Sequence, residues 1–242
     1  MRIGLISDIH GNLVALDTVL AELDQAGVEQ IVCLGDLAVL GPQPAGVVDR
    51  IRERGIPTVR GNVDDWLAPN QGPAAEPPES TQSIELSAWT LAQLDASQID
   101  FLRRLPLTRH VPLGDGRSML CFHATADSVD DITHAGEPGL VGEWPDEPMM
   151  ACGHTHIQAM WRVGDQIWIN PGSVGLPGIG PGTPGLPRNH NVSWAEFAII
   201  ETDHRGMSVD MRRTELDIGA IWAAARATDM PHQDWWLNLW RL

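Results

Sequence analysis

The chain of 242 residues contains no lysine and no tyrosine. Its 16 basic residues other than histidine are all arginine, and an arginine guanidinium stays protonated at any working pH. A mechanism that uses a Schiff-base lysine or a lysine general base is therefore excluded. Acidic residues outnumber these basic residues: aspartate and glutamate together number 32, so the formal net charge is −16. A surface this acidic repels phosphate backbones and anionic lipids, so neither general nucleic-acid binding nor membrane binding is expected.

Cysteine is scarce as well, with Cys33, Cys121 and Cys152 as the whole complement. An odd count in a chain of this length argues against a disulfide framework, and the apolar neighbours of all three predict buried thiols. No apolar stretch approaches the roughly 18 residues of a membrane span. The N-terminal segment lacks the apolar length of a signal peptide. These absences favour a cytoplasmic protein.

The apolar pattern of the first 60 residues predicts alternating strands and helices of an α/β fold. We expect strands at 2–7, 30–34 and 56–59, with helices at 13–27 and 47–54 between them. Strand, helix and strand in this order predict parallel strands joined by crossover helices. The chain length favours one domain over residues 1–242.

The rest of the chain predicts a Pro-rich loop at 67–80, two helices within 80–105 and then mainly strands. In the two helices, the residues expected to face inward are Ile84, Leu91, Leu94 and Leu102. The later strands are expected at 118–122, 149–153, 159–163, 166–170, 194–200 and 207–213. Residues 175–190 carry a dense run of glycine and proline and are expected to be irregular, and a helix is predicted from 217 to 228.

Seven side chains with oxygen or nitrogen donors stand at the ends of five apolar runs. They are Asp8, His10, Asp36, Asn62, His123, His154 and His156. The carboxyl ends of parallel strands meet at one edge of a sheet, so the seven side chains can converge there. Two residues spaced i and i+2 on an extended segment point the same way, which favours convergence within each Asp-x-His or His-x-His pair.

Each of these motifs has an ordinary structural interpretation when it is taken alone. A single aspartate after a strand is more often a turn or capping residue, and a single histidine is more often a satisfied surface or core residue. The ordered set at successive strand ends favours a metal site instead. The five other histidines are interpreted as surface residues, although His134 and His190 lie in loops that could border a cleft.

The ordered motifs resemble those of the calcineurin-like metallophosphoesterase family. The matching segments are Asp8-Ile-His10, Gly35-Asp36, Gly61-Asn62, His123 and Gly153-His154-Thr155-His156. The resemblance spans residues 1 to about 175. The Asn170-Pro-Gly-Ser-Val-Gly175 turn resembles the corresponding turn of the small bacterial branch, which includes phosphodiesterases and dinucleoside polyphosphate hydrolases. It implies a four-layer α/β/β/α sandwich of two mixed β-sheets with helices outside.

The resemblance also implies two divalent metal ions that share Asp36. One ion is expected on Asp8, His10, Asp36 and His156, and the other on Asp36, Asn62, His123 and His154. Mixed carboxylate and imidazole ligands suit Mn²⁺, Fe, Zn²⁺, Ni²⁺ or Co²⁺. The implied nucleophile is a metal-bridging hydroxide, so no side-chain nucleophile is assigned, and Asn62 is expected to contact the substrate phosphate. A small phosphorylated substrate of nucleotide or dinucleoside polyphosphate type is expected, despite the acidic surface, because bound metal reverses the local field.

Two departures from the family pattern bear on the reaction. Val63 stands where many members have a histidine that helps protonate the leaving group, and Ala124 follows His123 where glycine is frequent. Asp64 matches the acidic residue of the usual motif and is expected to orient or cap. The alternative enzyme class is a phosphomonoesterase, which includes the protein phosphatases. The two departures weigh against a protein phosphatase. A non-catalytic metal-binding scaffold is the alternative outside enzymes.

The C-terminal segment is rich in tryptophan. Trp235, Trp236 and Trp240 lie within the last eight residues, and three exposed indoles near a terminus would be a costly apolar surface. Packing of the tail on its own domain is the favoured interpretation. A homodimer interface is the alternative, because tryptophan is common at interface hot spots.

Overall fold

A computed structural model describes residues 1–69, 74–77, 80–114, 116–132, 147–178, 190–204 and 206–240. Its strands are β1 Arg2–Ile6, β2 Gln30–Cys33, β3 Thr108–Pro112, β4 Ser118–Phe122, β5 Met149–Ala151, β6 Ala159–Val163, β7 Gln166–Asn170, β8 Trp194–Asp203 and β9 Gly206–Glu215. Its helices are α1 Leu13–Gln25, α2 Pro44–Glu53, α3 Asn62–Leu67, α4 Thr81–Gln93, α5 Ala96–Arg103, α6 Ile218–Arg226 and α7 Gln233–Asn238.

The strands form two mixed sheets. The four-stranded sheet has the order β2-β1-β8-β9, with β1 parallel to β2 and antiparallel to β8. The five-stranded sheet has the order β3-β4-β5-β7-β6, in which β4, β5 and β7 run parallel and the two edge strands run antiparallel to their neighbours. The predicted α/β class with two mixed sheets is confirmed.

The sheets face each other across an apolar layer. Leu5 and Val32 of the four-stranded sheet share one buried cluster with Met119, Cys121 and Ile169 of the five-stranded sheet. All seven described helices contribute residues to a second apolar cluster, here named the helix-side cluster. It covers the outer face of the four-stranded sheet. On the outer face of the five-stranded sheet, a third cluster around Phe122 and Trp168 contains no helical residue within the described ranges. A helical layer on that face stays a prediction.

The predicted strand at 56–59 is wrong in extent. The segment runs parallel to β2, but the two form only a single isolated bridge between Cys33 and Thr58. Pro57 has no N–H to extend the pairing, and the N–H of Arg60 donates to the carbonyl of Pro106 instead. Helix α2 begins three residues earlier than the predicted position 47, because Pro44 is well suited to the first turn. The pattern did not predict β3, α3 or α7.

Two of the four residues expected to face inward in the 80–105 region are exposed. Ile84 is 50% exposed and Leu91 is 42% exposed, whereas Leu94 and Leu102 are buried as predicted. Helix α4 instead buries Leu86 and Thr90, so the hydrophobic pattern assigned the wrong inner face to this helix. A buried threonine between exposed aliphatic residues carries no periodic signal that could have corrected this choice.

The C-terminal segment packs on its own chain. Trp236 and Trp240 are buried in the helix-side cluster, with ring centroids 5.8 Å apart, whereas Trp235 is 39% exposed. Burial of two of the three indoles agrees with the favoured interpretation of the tail. The homodimer alternative stays a prediction. Among the described residues, no helix is long and apolar enough to cross a membrane.

Candidate metal centre

The seven predicted donor residues come together at neighbouring edges of both sheets. Asp8 and His10 follow β1, Asp36 follows β2, and Asn62 is the first residue of α3. The three other histidines follow strands of the second sheet, His123 after β4 and the pair His154 and His156 after β5. All of these side chains are buried except that of Asn62, which is partly exposed. The site therefore lies where the ends of two sheets meet, with Asn62 at its opening.

The backbone at this site is left-handed, and not extended as the i, i+2 spacing suggested. Five donor residues have positive φ: Asp8 at 56°, His10 at 48°, Asp36 at 59°, His154 at 67° and His156 at 55°. Left-handed conformations are uncommon outside glycine and cost free energy, and they concentrate at functional sites. The prediction that the paired residues converge holds, but the conformation behind it was wrong. Each sharp turn aims a side chain back into the space between the sheet ends.

Two glycines allow the loops to approach each other. A Cβ at Gly61 would collide with the Asp36 carboxylate, and a Cβ at Gly153 would collide with the hydroxyl of Ser7 and lie 2.8 Å from Asp8 Oδ2. These contacts are too close for any larger residue unless the loops move. The glycines therefore bring the donor-bearing loops within ligand distance of one another.

Four donors form a first cluster. Nε2 of His10 lies 3.0 Å from Nε2 of His156, and Nε2 of His156 lies 3.3 Å from Oδ1 of Asp8. Oδ2 of Asp36 completes the group, 3.5 Å from Nε2 of His10. One ligand atom from each of the four residues lies within 4.8 Å of the others.

A second cluster shares Asp36 with the first. Oδ2 of Asp36 lies 3.4 Å from Nε2 of His123, and His154 offers the third ligand atom of this group, again within 4.8 Å. Oδ1 of Asn62 lies 3.2 Å from the same His123 nitrogen. The same carboxylate oxygen thus faces both clusters, while Oδ1 of Asp36 accepts the backbone N–H of Val63 at 3.1 Å.

Backbone carbonyls orient the four imidazoles. Nδ1 of His10 bonds to the carbonyl of Val39 at 3.0 Å, and Nδ1 of His123 bonds to that of Leu34 at 2.7 Å. Nδ1 of His156 and Nε2 of His154 bond to further carbonyls, those of Leu176 and Asp130, at 2.9 and 3.0 Å. The other nitrogen of each ring is left to face the clusters. Metal-binding histidines are held in this way, because the outer hydrogen bond fixes both the tautomer and the ring orientation.

The ionisation of these groups is strongly coupled to their burial. Burial opposes protonation of His10 and His154 and lowers the pKa of each to about 4. Burial acts the same way on His123, but the Asp36 carboxylate outweighs it and raises the pKa to about 10. The Asp8 carboxylate likewise outweighs burial at His156 and raises its pKa. The two carboxylates therefore favour a proton on His123 and on His156, whereas burial disfavours one on His10 and on His154.

Asp64 has the capping role expected from its motif. Its carboxylate accepts the backbone N–H of Gly61 at 3.0 Å and so caps α3, and it accepts the N–H groups of Asp36 and Leu37 at 2.9 Å each. Burial, together with the nearby Asp36 carboxylate, raises the pKa of Asp64 to about 7. Asp64 therefore joins the loop after β2 to the start of the helix that carries Asn62.

Two residues of the Asn-Pro-Gly-Ser turn support the site, although the sequence assigned them no role. Nδ2 of Asn170 donates to the carbonyl of Gly153 at 2.7 Å, next to His154. The hydroxyl of Ser173 donates to the carbonyl of Asp8 at 2.8 Å. The signal was the turn motif itself, which places both side chains beside the loops that carry donors.

The other histidines lie apart from the two clusters or outside the described residues. His110, His190 and His204 are exposed, and His110 pairs with Glu147 at 2.9 Å. Nε2 of His232 bonds to Glu85. The surface interpretation is consistent with these positions, whereas His134 lies outside the described residues.

The donor set fits divalent transition metals. Metal–ligand bonds of about 2.1 Å place neighbouring ligand atoms about 3.0–3.4 Å apart, close to the spacing of the two clusters. The Asn62 side-chain amide lies 3.2 Å from His123 Nε2, so its carbonyl oxygen can serve as a further ligand at the second cluster. Imidazole and carboxylate donors together suit the metals named above better than calcium.

Comparison with known proteins identifies the same architecture. Residues 1–204 match the family model described as the calcineurin-like phosphoesterase superfamily domain. A solved metallophosphoesterase from Sphaerobacter thermophilus is 26% identical, with a TM-score of 0.75 over 99% of this chain and 98% of that one. A hypothetical protein from Pyrococcus horikoshii OT3 has a TM-score of 0.74 over the same shares at 18% identity, which shows the fold alone. Phosphodiesterase YfcE from Escherichia coli K12 is 26% identical over 80% of this chain and 90% of its own length.

Proposed function

Because the chain belongs to the calcineurin-like phosphoesterase superfamily and is a metal-dependent hydrolase, we propose that it is a dinuclear phosphoesterase that hydrolyses phosphodiester or phosphoanhydride bonds of small molecules. The observation that carries the proposal is the position of Asp36. Its Oδ2 lies within 3.5 Å of a histidine nitrogen in each cluster, as a carboxylate shared by two cations would.

The proposed ligand sets follow the two clusters. The first ion would be held by Asp8, His10, Asp36 and His156, and the second by Asp36, Asn62, His123 and His154. When bound, two such ions lower the pKa of a water molecule to make the attacking hydroxide and neutralise charge on the phosphate oxygens. Mn²⁺, Fe, Zn²⁺, Ni²⁺ and Co²⁺ are all compatible with these donors.

The protein groups at the opening of the site have separate tasks. Asn62 is partly exposed, and its Nδ2 can donate to a phosphate oxygen while its carbonyl faces the cluster. The backbone N–H of Val63 fixes the Asp36 carboxylate at 3.1 Å. The Val63 side chain is buried in the helix-side cluster and carries no proton to donate. The proposal therefore assigns neither a side-chain nucleophile nor a side-chain general acid.

A diester or anhydride substrate is favoured over a monoester. Such substrates can release an aryloxide, a phosphate or a nucleotide as the leaving group. These leaving groups need little protonation, which agrees with the absence of a proton donor at Val63. The similarity to a relative named as a phosphodiesterase supports the same class. The loops at 66–80, 124–147 and 175–190 are expected to select the substrate. The first two come together where the backbone N–H of Glu76 donates to the Asp130 carboxylate at 2.7 Å. Asp130 in turn holds His154 through its carbonyl.

The test is turnover of bis(4-nitrophenyl) phosphate with added Mn²⁺, compared with a nitrophenyl monoester and a panel of nucleotides and dinucleoside polyphosphates. Asp36→Asn should lose at least about 10³ in kcat, because an amide cannot supply the shared charge. His110→Ala, at an exposed histidine, is the control and should keep wild-type turnover. Near-normal turnover by Asp36→Asn would contradict the dinuclear assignment. Preference for the monoester would favour a phosphatase, and metal binding without turnover of any substrate would favour a scaffold.

A further inference from the structure

A tryptophan of the C-terminal helix reaches the loop that holds a donor of the first cluster. The indole N–H of Trp236 donates a hydrogen bond to the backbone carbonyl of Leu40. The preceding carbonyl, that of Val39, accepts the hydrogen bond from Nδ1 of His10 at 3.0 Å. Two consecutive carbonyls are thus fixed, one by the C-terminal helix and one by a predicted metal ligand.

The residue between these two peptide groups is strained. Leu40 has a φ of 80°, a conformation that a bulky side chain rarely adopts. Rotation about its φ and ψ bonds sets the direction of the Val39 carbonyl relative to the Leu40 carbonyl. A contact that anchors the Leu40 carbonyl therefore restrains the direction in which the Val39 carbonyl meets His10.

The anchor comes from a rigid part of the molecule. Trp236 is completely buried in the helix-side cluster, and the end of the same segment is tied down where the N–H of Asn191 donates to the carbonyl of Leu239 at 2.6 Å. The loop beyond Leu40 is equally constrained, because a Cβ at Gly41 would collide with the carbonyl of His10. The turn is therefore clamped on both sides.

We propose that Trp236 is a positioning residue for the metal site, which holds His10 Nε2 in its ligand direction through the carbonyls of Leu40 and Val39. This inference rests on the proposed function, because it requires that His10 binds a metal ion. It assigns the C-terminal helix a role in the chemistry, in addition to covering the core.

The chain provides a matched control in Trp240. This indole is 1% exposed and packs beside Trp236, yet its N–H has no hydrogen-bond partner within the described part of the chain. Trp236→Phe and Trp240→Phe remove the same atoms from neighbouring sites in one cluster. Only the first removes a hydrogen bond to the donor-bearing loop.

The experiment measures Co²⁺ binding to the metal-free full-length chain by calorimetry, together with the visible absorption spectrum of the bound Co²⁺. Trp236→Phe should weaken Co²⁺ binding at the His10 cluster by about 3–10-fold and should shift the Co²⁺ spectrum. The loss of affinity should not exceed that caused by removing a group that hydrogen-bonds directly to a metal ligand. Trp240→Phe should keep both the affinity and the spectrum of the wild type. Melting temperatures identify effects that arise from packing alone.

Wild-type affinity and spectrum in Trp236→Phe would overturn the inference, as would equal changes in both variants. If circular dichroism shows that Trp236→Phe does not fold, 3-benzothienyl-alanine at position 236 removes the N–H without changing the ring shape, and the same shifts are expected. Absence of Co²⁺ binding by the wild-type chain would contradict the proposed function itself and is distinguishable from either result.

Discussion

The Asp64 carboxylate accepts the backbone N–H of Asp36 at 2.9 Å, so one buried acid fixes the backbone of another. Asp64 also accepts N–H groups from Leu37 and from Gly61, at the start of the helix that carries Asn62. Three hydrogen bonds on one carboxylate thus set the distance between Asp36 and Asn62. Asp64 acts on the site through the backbone, without being one of the proposed ligands.

Asp64→Asn should weaken both the fold and the site. The new amide nitrogen cannot accept a hydrogen bond, so at least one of the three backbone N–H groups loses its partner, which costs about 1–3 kcal/mol of unfolding free energy. We expect kcat to fall by about 10–100-fold, because an outer-sphere support of a metal ligand is lost. Urea unfolding and diesterase turnover measure the two effects. The control is Asp100→Asn at a half-exposed surface pair with Arg104, which should change neither, and equal behaviour of the two variants would contradict this role.

Metal binding should displace protons. The pKa of His123, raised to about 10, means that this imidazole is protonated near neutral pH in the metal-free chain, and the pKa of His156 is shifted in the same direction. A metal ligand must be a neutral imidazole, so the apparent metal affinity should fall as the pH falls, and should rise as the pH approaches the His123 pKa. His10 and His154, with pKa values lowered to about 4, are already neutral and add no competition. Calorimetry in buffers of different ionisation enthalpy measures the release, and an affinity independent of pH from about 6 to about 8 would contradict the assignment.

The predictable part of this site was the set of residue types and their order along the chain. The pairs Asp8/His10 and His154/His156 were predicted to converge, and they do, yet through left-handed turns and not through an extended backbone. A two-residue spacing does not reveal the sign of φ. At a residue other than glycine, the free-energy cost of such a left-handed turn is offset only by the packing of the loops against one another.

The supports of the site could not be predicted, because they depend on distant backbone. The carbonyls that orient His123 and His156 come from Leu34 and Leu176, and a carbonyl gives no signal in the sequence. The same limit applies to the inner face of α4, where Thr90 is buried and Ile84 exposed. In both cases the neighbouring elements decide the outcome, and the local pattern does not.

Leaving-group dependence tests the missing acid. Val63 donates only its backbone N–H, to Asp36, so the rate should fall steeply as the pKa of the leaving group rises. A series of aryl and alkyl diesters of one nucleotide measures the slope under conditions where chemistry limits the rate. A flat dependence would mean that another group supplies the proton. His190→Ala should then slow the alkyl diesters selectively if His190 is that group, and His134→Ala tests the other candidate.

Deletion of residues 233–242 should destabilise the chain severely. The deletion removes the buried indoles of Trp236 and Trp240, and loss of one buried tryptophan side chain costs about 3–5 kcal/mol. Trp235→Ala, at an indole that is 39% exposed, is the control and should leave the melting temperature nearly unchanged. Light scattering of the intact chain tests the homodimer: a monomer excludes it, and a dimer that Trp235→Ala converts to a monomer assigns the interface to this surface. An unchanged melting temperature after the deletion would contradict the packing of the tail.

The number of metal ions per active chain distinguishes a dinuclear site from a mononuclear one. Metal-free protein titrated with Mn²⁺ can be followed by turnover of bis(4-nitrophenyl) phosphate and, in the same samples, by bound manganese and its electron paramagnetic resonance spectrum. The shared position of Asp36 Oδ2 between His10 and His123 predicts that turnover saturates at about two ions per chain, with a spectrum of magnetically coupled ions. Full turnover at one ion per chain, or without metal, would contradict a dinuclear phosphoesterase.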